Sequence, residues 1–226
     1  MTASILFEDE LRIPYGIDSL AAFRQWAFSD AFPDAGRIDY VDRSIEVDSS
    51  PDNLFYHSAP KTELGAVIRF RLKATRVGHV FIDNTRVSCP DIDLSVEPDV
   101  VVVSHTAIES GRVRLISAAA GKPGSYLEIE GPPDLVVEVV SPSSVAKDTR
   151  RLRKAYFDAG VEEYWLADAR GTELRFEILV RGEAEFVAAP VDGEGFQASR
   201  VLAARYRFKR ATGPGGLWEY ELTERL

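Results

Sequence analysis

Pro133-Asp134-Leu135-Val136-Val137-Glu138-Val139-Val140-Ser141-Pro142-Ser143 (133–143) is an apolar run of strand length, opened by Pro-Asp and stopped by Ser-Pro-Ser, with one carboxylate in its middle. Such a run reads as a strand in the interior of a sheet, where burying a lone charge is expensive. Glu138 is therefore the most informative residue of the chain. A bound cation, a basic partner or a raised pKa can each offset its cost.

Downstream, residues 145–159 read as a helix stopped by Gly160, and residues 163–167 as a further buried strand. The helical crossover predicts that the two strands it joins are parallel. Residues 173–180 and 184–188 read as a closing hairpin and the remainder as an extended tail. Upstream, Pro98-Asp99 launches a second apolar strand at 100–104, while 80–87 and 91–96 each read as a strand. Residues 61–75 place Leu64, Val67, Ile68 and Leu72 on one helical stripe despite Gly65, with a basic opposite face. Residues 37–47 alternate about a polar turn at Asp42-Arg43, and 20–30 has helical spacing. The pattern predicts an α/β fold, a mixed β-sheet core flanked by helices, with additional N-terminal and C-terminal β-hairpins. With no repeat and no linker, the 226 residues read as a single domain, 1–226.

The 36 acidic and 27 basic residues give a net charge of −9, which disfavours tight non-specific binding to nucleic acid. The basic residues nonetheless cluster, as Arg69, Arg71, Lys73 and Arg76 and as Arg150, Arg151, Arg153 and Lys154, either as functional patches or as solvated helix faces. The single cysteine, Cys89, excludes an internal disulfide or a cysteine-rich zinc cage and reads as a small packed side chain. No run approaches the roughly 20 apolar residues that cross a bilayer, and residues 1–12 lack a secretory pattern, so a cytoplasmic location without membrane attachment is expected.

Asp134 and Glu138 share a strand face but stand about 13 Å apart, too far for one ion to bridge. A partner for Glu138 must come from a neighbouring strand roughly 5 Å away, and Asp99 is the candidate. Two such carboxylates form a hard oxygen site suited to Mg²⁺ or Mn²⁺. His57, His79 and His105 lack metal-ligand spacing and read as structural or exposed. Tyr164 and Trp165 lie in an apolar run and read as core.

The 133–143 segment, followed by Lys147-Asp148, Tyr156, Ala159-Gly160-Val161 and Glu163-Tyr164-Trp165-Leu166, resembles the Uma-two family in order and spacing, over about residues 18–208. Glu97-Pro98-Asp99-Val100 fits as well. The resemblance implies a restriction-endonuclease-like fold of the PD-(D/E)xK superfamily and a Mg²⁺- or Mn²⁺-dependent endonuclease hydrolysing DNA, with a homodimer plausible. It assigns metal binding to Asp99 and Glu138 and adds Glu63, from the helix before the sheet, as a further acidic candidate; Asp134 is a metal candidate from the residues alone, and its Pro-Asp pair equally reads as a turn before the strand. Glu63 is equally explained as an acidic residue in a helix first turn. The superfamily lysine is absent, since Val140 stands two positions after Glu138 and Leu152 where the family carries a lysine on the following helix. Lys147 and Lys154 are the remaining basic candidates for a catalytic role. These departures keep a second reading open, a catalytically impaired nuclease-fold module that binds or regulates.

Overall fold

The computed structural model describes residues 4–6, 11–33, 36–117 and 124–226. At its centre is a six-stranded mixed sheet in the spatial order Phe186–Ala188, Arg175–Arg181, Glu163–Asp168, Leu135–Val139, Val100–Ser104, Gly78–Ile82. Leu135–Val139 runs parallel to Glu163–Asp168, as the crossover predicts, and antiparallel to Val100–Ser104. In the antiparallel pair Leu135 faces Val102, Val136 faces Val101 and Val137 faces Val100. One step further, the same register sets Glu138 opposite Asp99, and because directly opposed side chains share a face, both carboxylates point the same way.

Strand alternation gives this sheet two apolar faces. Val100, Val102, Val137 and Trp165 meet Leu64, Ile68 and Leu72 of the helix Ala59–Thr75 on one side. Each of these helix side chains contributes roughly 2 kcal/mol by burial. Gly65 packs close to the sheet: a Cβ there would lie 2.5 Å from Ile82 Cδ1, the free end of an exposed side chain that would have to turn aside. On the other side Val101, Val136 and Tyr164 meet Leu152, Tyr156 and a second six-stranded sheet. That sheet holds the hairpin Arg37–Val41/Ser44–Asp48, turning at Asp42-Arg43 as expected, and Cys89, which is buried with its thiol pushed up to about 12. Burial is the main cause, with the neighbouring charges of Asp91 and Glu128 adding to it.

Four expectations need correction. Residues 80–87 are not one strand: Asp83 and Asn84 both take positive φ, and the chain turns there from Gly78–Ile82 in the central sheet to Arg86–Cys89 in the second. Short polar side chains tolerate this backbone, which an apolarity pattern does not register. Residues 91–96 begin as a 3₁₀ turn, Pro90–Ile92, and only Leu94–Val96 is strand. Residues 145–159 are not a uniform α-helix, for Lys147–Leu152 is a π-helical turn and the α-helix runs Arg153–Ala159.

Finally, the segment after 188 is no tail. Gln197–Ser199, Ala204–Thr212 and Trp218–Arg225 form a three-stranded antiparallel sheet that lays Ala204, Tyr206, Phe208 and Leu222 on the core. Polar contacts fasten it: Glu63 Oε1 accepts from Leu222 N at 2.9 Å, and Arg71 donates to the carbonyls of Leu202 and Ala203, both at 2.9 Å. The hairpin Arg175–Arg181/Phe186–Ala188 forms as expected. Among the described residues no helix is long and apolar enough to cross a membrane.

Candidate active site

Asp99 and Glu138, 0 % and 1 % exposed, meet at the end of the central strands. The Asp99 amide lies 3.4 Å from Glu138 Oε2 as its donor, and the Val139 amide donates to Asp99 Oδ2 at 2.7 Å, so each strand end is bonded to the other's carboxylate. Arg37 Nη2 donates to Asp99 Oδ1 at 2.6 Å, and His57 Nε2 lies 3.4 Å from Oδ2. The Tyr156 hydroxyl donates to Glu138 Oε1 at 2.7 Å.

The two carboxyl groups titrate in opposite directions. Burial opposes ionisation of Asp99, but His57 and Arg37 outweigh it and hold this carboxyl well below the usual range. Burial pushes Glu138 well above its ordinary value, and the charges of Asp99 and Asp148 push it further. Two buried carboxyls this close divide into one ionised and one protonated group.

Two π-helical turns supply the surrounding groups. Lys147–Leu152 buries Lys147, Asp148 and Leu152 together on its inner side. Lys147 Nζ donates to Asp39 Oδ2 at 2.8 Å, and Asp39 Oδ1 accepts the Glu97 amide at 2.9 Å. Burial lowers the affinity of Lys147 for its proton, but Asp39 and Glu138 raise it more, so this lysine is charged. Asp148 accepts from the Ser144 hydroxyl, yet its Oδ1 is buried without a hydrogen-bond partner among the described residues. Burial lifts its pKa to about 6, against the opposing pull of Ser144 and Lys147. The Tyr164 hydroxyl donates to the Asp148 carbonyl at 2.9 Å and fixes the turn from beneath.

The second π-turn, Leu54–Ser58, buries His57. Asn53 starts it by accepting the amides of Phe55 and Tyr56 at 3.0 and 2.9 Å. His57 Nδ1 lies 3.1 Å from Asp52 Oδ2 but out of line for a hydrogen bond. Desolvation works against the imidazolium; contact with Asp99 and the charge of Asp52 prevail and raise its pKa. Arg37 and His57 form part of the wall of a cavity of about 710 Å³. Lys61, also in that wall, donates to Asp52 Oδ2 at 2.9 Å and Asp83 Oδ1 at 2.8 Å.

Of the residues singled out from the sequence, Asp99, Glu138 and Lys147 lie in one polar cluster; the others lie elsewhere. Asp134 is at the opposite end of its strand, accepting from the Ser104 amide at 2.6 Å and from Arg112. Glu63 is occupied with Leu222, and Lys154 is an exposed partner of Asp158 one helical turn away. His57, read as structural or exposed, is buried and lies against Asp99. Arg37, Asp39, His57 and Asp148 are the site neighbours that sequence reasoning missed as such. Asp148 alone carried a signal, inside the Lys147-Asp148 motif. Val140 and Leu152 are fully buried apolar side chains, so neither position supplies a charge. The basic clusters are engaged only in part, Arg151 with Glu46, Arg153 with the Phe186 carbonyl and Arg71 with the last sheet, while Arg69, Lys73, Arg76 and Arg150 are exposed.

Among the described residues no group of three or more His, Cys, Asp or Glu side chains is arranged to hold a metal ion. Asp99 and Glu138 nonetheless offer two hard oxygen donors of the kind a small divalent cation accepts together with water. The mutual repulsion of the pair, and the unsatisfied Asp148 Oδ1 nearby, are features that added positive charge relieves. The donor set therefore fits such an ion.

A mixed sheet with opposed acidic residues at the ends of two central strands places the molecule with restriction-endonuclease-like proteins. The chain belongs to the Uma2 family, described as "putative restriction endonuclease", whose model matches residues 20–208. Its fold is similar to that of a "putative nuclease belonging to DUF820" from Anabaena variabilis, with a TM-score of 0.60 and 18 % identity, covering 82 % of this chain and 90 % of that one. No curated protein matches the chain.

Proposed function

We propose that this protein is a divalent-metal-dependent endonuclease that hydrolyses DNA phosphodiester bonds, with Asp99 and Glu138 as the residues that hold Mg²⁺ or Mn²⁺. The observation that carries the reading is the antiparallel register that brings these two buried carboxyls face to face. The bound ion would supply polarisation of the phosphate and a lowered pKa for water. Tyr156 fixes the Glu138 carboxyl, Arg37 and His57 keep Asp99 ionised, and Lys147 adds a buried positive charge beside Glu138. Lys147 thereby takes the electrostatic part of the missing strand lysine, without occupying its position.

The test is Mn²⁺ binding by calorimetry together with cleavage of supercoiled and linear DNA, for the wild type, Asp99→Ala and Glu138→Gln. The reading requires that binding and cutting are both lost in the variants. Undiminished Mn²⁺ binding in both variants overturns the site assignment. One observation favours a second reading, a nuclease-fold module without cutting activity: Val140 and Leu152 are packed in apolar surroundings where the family places its basic residue. DNA cleavage that Glu138→Gln abolishes disposes of it.

A further inference from the structure

The cavity beside Asp99 has little with which to hold a polyanion. Arg37 is held by Asp99, and Lys61 lies between Asp52 and Asp83, so both cations in the wall are neutralised by the protein's own carboxylates. In a chain with a net charge of −9, attraction for a phosphate backbone has to come from a local surface of uncompensated Lys and Arg.

The helix Ala59–Thr75 carries such a surface. Residues 64–82 hold Arg69, Arg71, Lys73 and Arg76 and no Asp or Glu. Arg71 is turned to the last sheet and to Glu224. Arg69, Lys73 and Arg76 are exposed, and among the described residues none of the three has an ion-pair partner or a side-chain hydrogen bond. Spacings of four and three residues set them in one row, where like charges repel. The helix dipole compensates Lys73 and Arg76 at the C-terminal end, and its effect does not extend to Arg69, more than a turn further in. The second basic cluster lacks this character: Arg151 pairs with Glu46, Lys154 with Asp158, and Arg153 donates to the Phe186 carbonyl, which leaves Arg150.

The row leads away from the site along the same helix, whose first turn places Lys61 in the cavity wall. At about 1.5 Å per residue, Arg69 stands about 12 Å and Arg76 about 22 Å further along the axis. A duplex, rising about 3.4 Å per base pair, covers that length in roughly six or seven pairs.

We propose that Arg69, Lys73 and Arg76 form the surface on which this protein docks the phosphate backbone of double-stranded DNA, holding the duplex beside the cavity that leads to Asp99. The choice of DNA rests on the endonuclease reading above; the docking surface does not depend on cutting.

The experiment is fluorescence anisotropy of a labelled duplex of about 20 base pairs with the full chain in EDTA, at salt from about 50 to about 200 mM. Replacing Arg69, Lys73 and Arg76 together by Gln is expected to lower affinity at least about tenfold at the lowest salt. The slope of log affinity against log salt should flatten by about 2 to 3, since each phosphate contact contributes about 0.9. Arg69→Gln alone should account for about a third of that change. A control with Arg150, Lys154 and Lys209 replaced by Gln removes as many exposed charges elsewhere and should stay near wild type. Thermal unfolding checks that each variant keeps the wild-type fold. Absence of duplex binding by the wild type, or an unchanged slope in the triple and Arg69→Gln variants, overturns the proposal. An equal loss in the control also overturns it, by making binding a matter of net charge. Phe70, 72 % exposed beside these cations, makes an acidic lipid surface the rival occupant, and phosphatidylserine vesicles that bind the wild type more tightly than the duplex overturn DNA as the partner. With Mn²⁺ present, binding through the row without cleavage removes the endonuclease reading alone, whereas cleavage at wild-type KM by the triple variant removes the docking surface alone.

Discussion

The Tyr156 hydroxyl donates to Glu138 Oε1 at 2.7 Å, joining the crossover helix to a central strand of the sheet through the one carboxyl in that strand's run of valines. Tyr156 is itself fully buried, and its phenol is pushed well above its ordinary pKa by burial and by Glu138, so it serves as a donor across the accessible pH range.

Tyr156→Phe removes that donor and leaves a buried carboxyl oxygen unsatisfied. Stability is expected to fall by about 1–3 kcal/mol in urea unfolding. With less support for its ionised form, Glu138 should titrate at still higher pH, and the pH midpoint of Mn²⁺ binding should move up in step. A Tyr156→Phe variant whose binding midpoint stays in place means that this hydroxyl does not tune the site.

Asp99 and Glu138 should respond in opposite ways to neutralisation. Glu138→Gln relieves the repulsion from Asp99 and Asp148 and is expected to leave the fold as stable as before or more so. Asp99→Asn strips Arg37 and His57 of their shared partner, and breaking a buried pair from one side costs about 3 kcal/mol. Thermal unfolding of the two variants checks the contrast, and two equal losses contradict the division into one ionised and one protonated group.

Asp148 sets a pH dependence whose sign is fixed. Its pKa is about 6 in the folded chain against an ordinary 3.8, so the native state holds the proton more tightly than the unfolded one. This contribution is fully present below pH 3.8 and is lost as pH rises towards 6, amounting to about 3 kcal/mol at 1.36 kcal/mol per unit. Urea unfolding between pH 4 and pH 7 should show the decline, and Asp148→Asn should flatten it. An unchanged slope in that variant assigns the effect to another group.

The pair of strands that bears the site was legible because valine runs launched by Pro-Asp are a pattern of composition and punctuation, and Glu138 stood out against it. The register that opposes it to Asp99 followed only from pairing. Lys147 was legible as a basic candidate near the end of the Glu138 strand, whereas no spacing in the sequence ties His57 to it. Only the packing of Leu54–Ser58 and Lys147–Leu152 against the strand ends brings His57, Lys147 and Asp148 together. Arg37 and Asp39 looked like the polar positions of an ordinary alternating hairpin. The last sheet was missed since its arginines mask the buried alternation of Ala204, Tyr206 and Phe208.

Glu163 is the fastening most open to test in that sheet's attachment. Buried, it accepts from Trp165 Nε1 at 2.6 Å and from the Arg200 amide at 2.8 Å. Glu163→Ala leaves both donors unpaired and is expected to cost about 3 kcal/mol, whereas Glu163→Gln keeps an acceptor and should cost about 1 kcal/mol. Equal losses would show that packing, and not the acceptor, holds the segment.

Residue 222 bonds to residue 63, and the Tyr220 hydroxyl bonds to the carbonyl of Phe55, across most of the chain. On the ribosome, the helix bearing Glu63 therefore emerges long before the strand that covers it. The contacts of Glu63 and Arg71 wait in the nascent polypeptide until translation has passed the last sheet, whereas the apolar stripe of the same helix is covered earlier, once the central strands have been made.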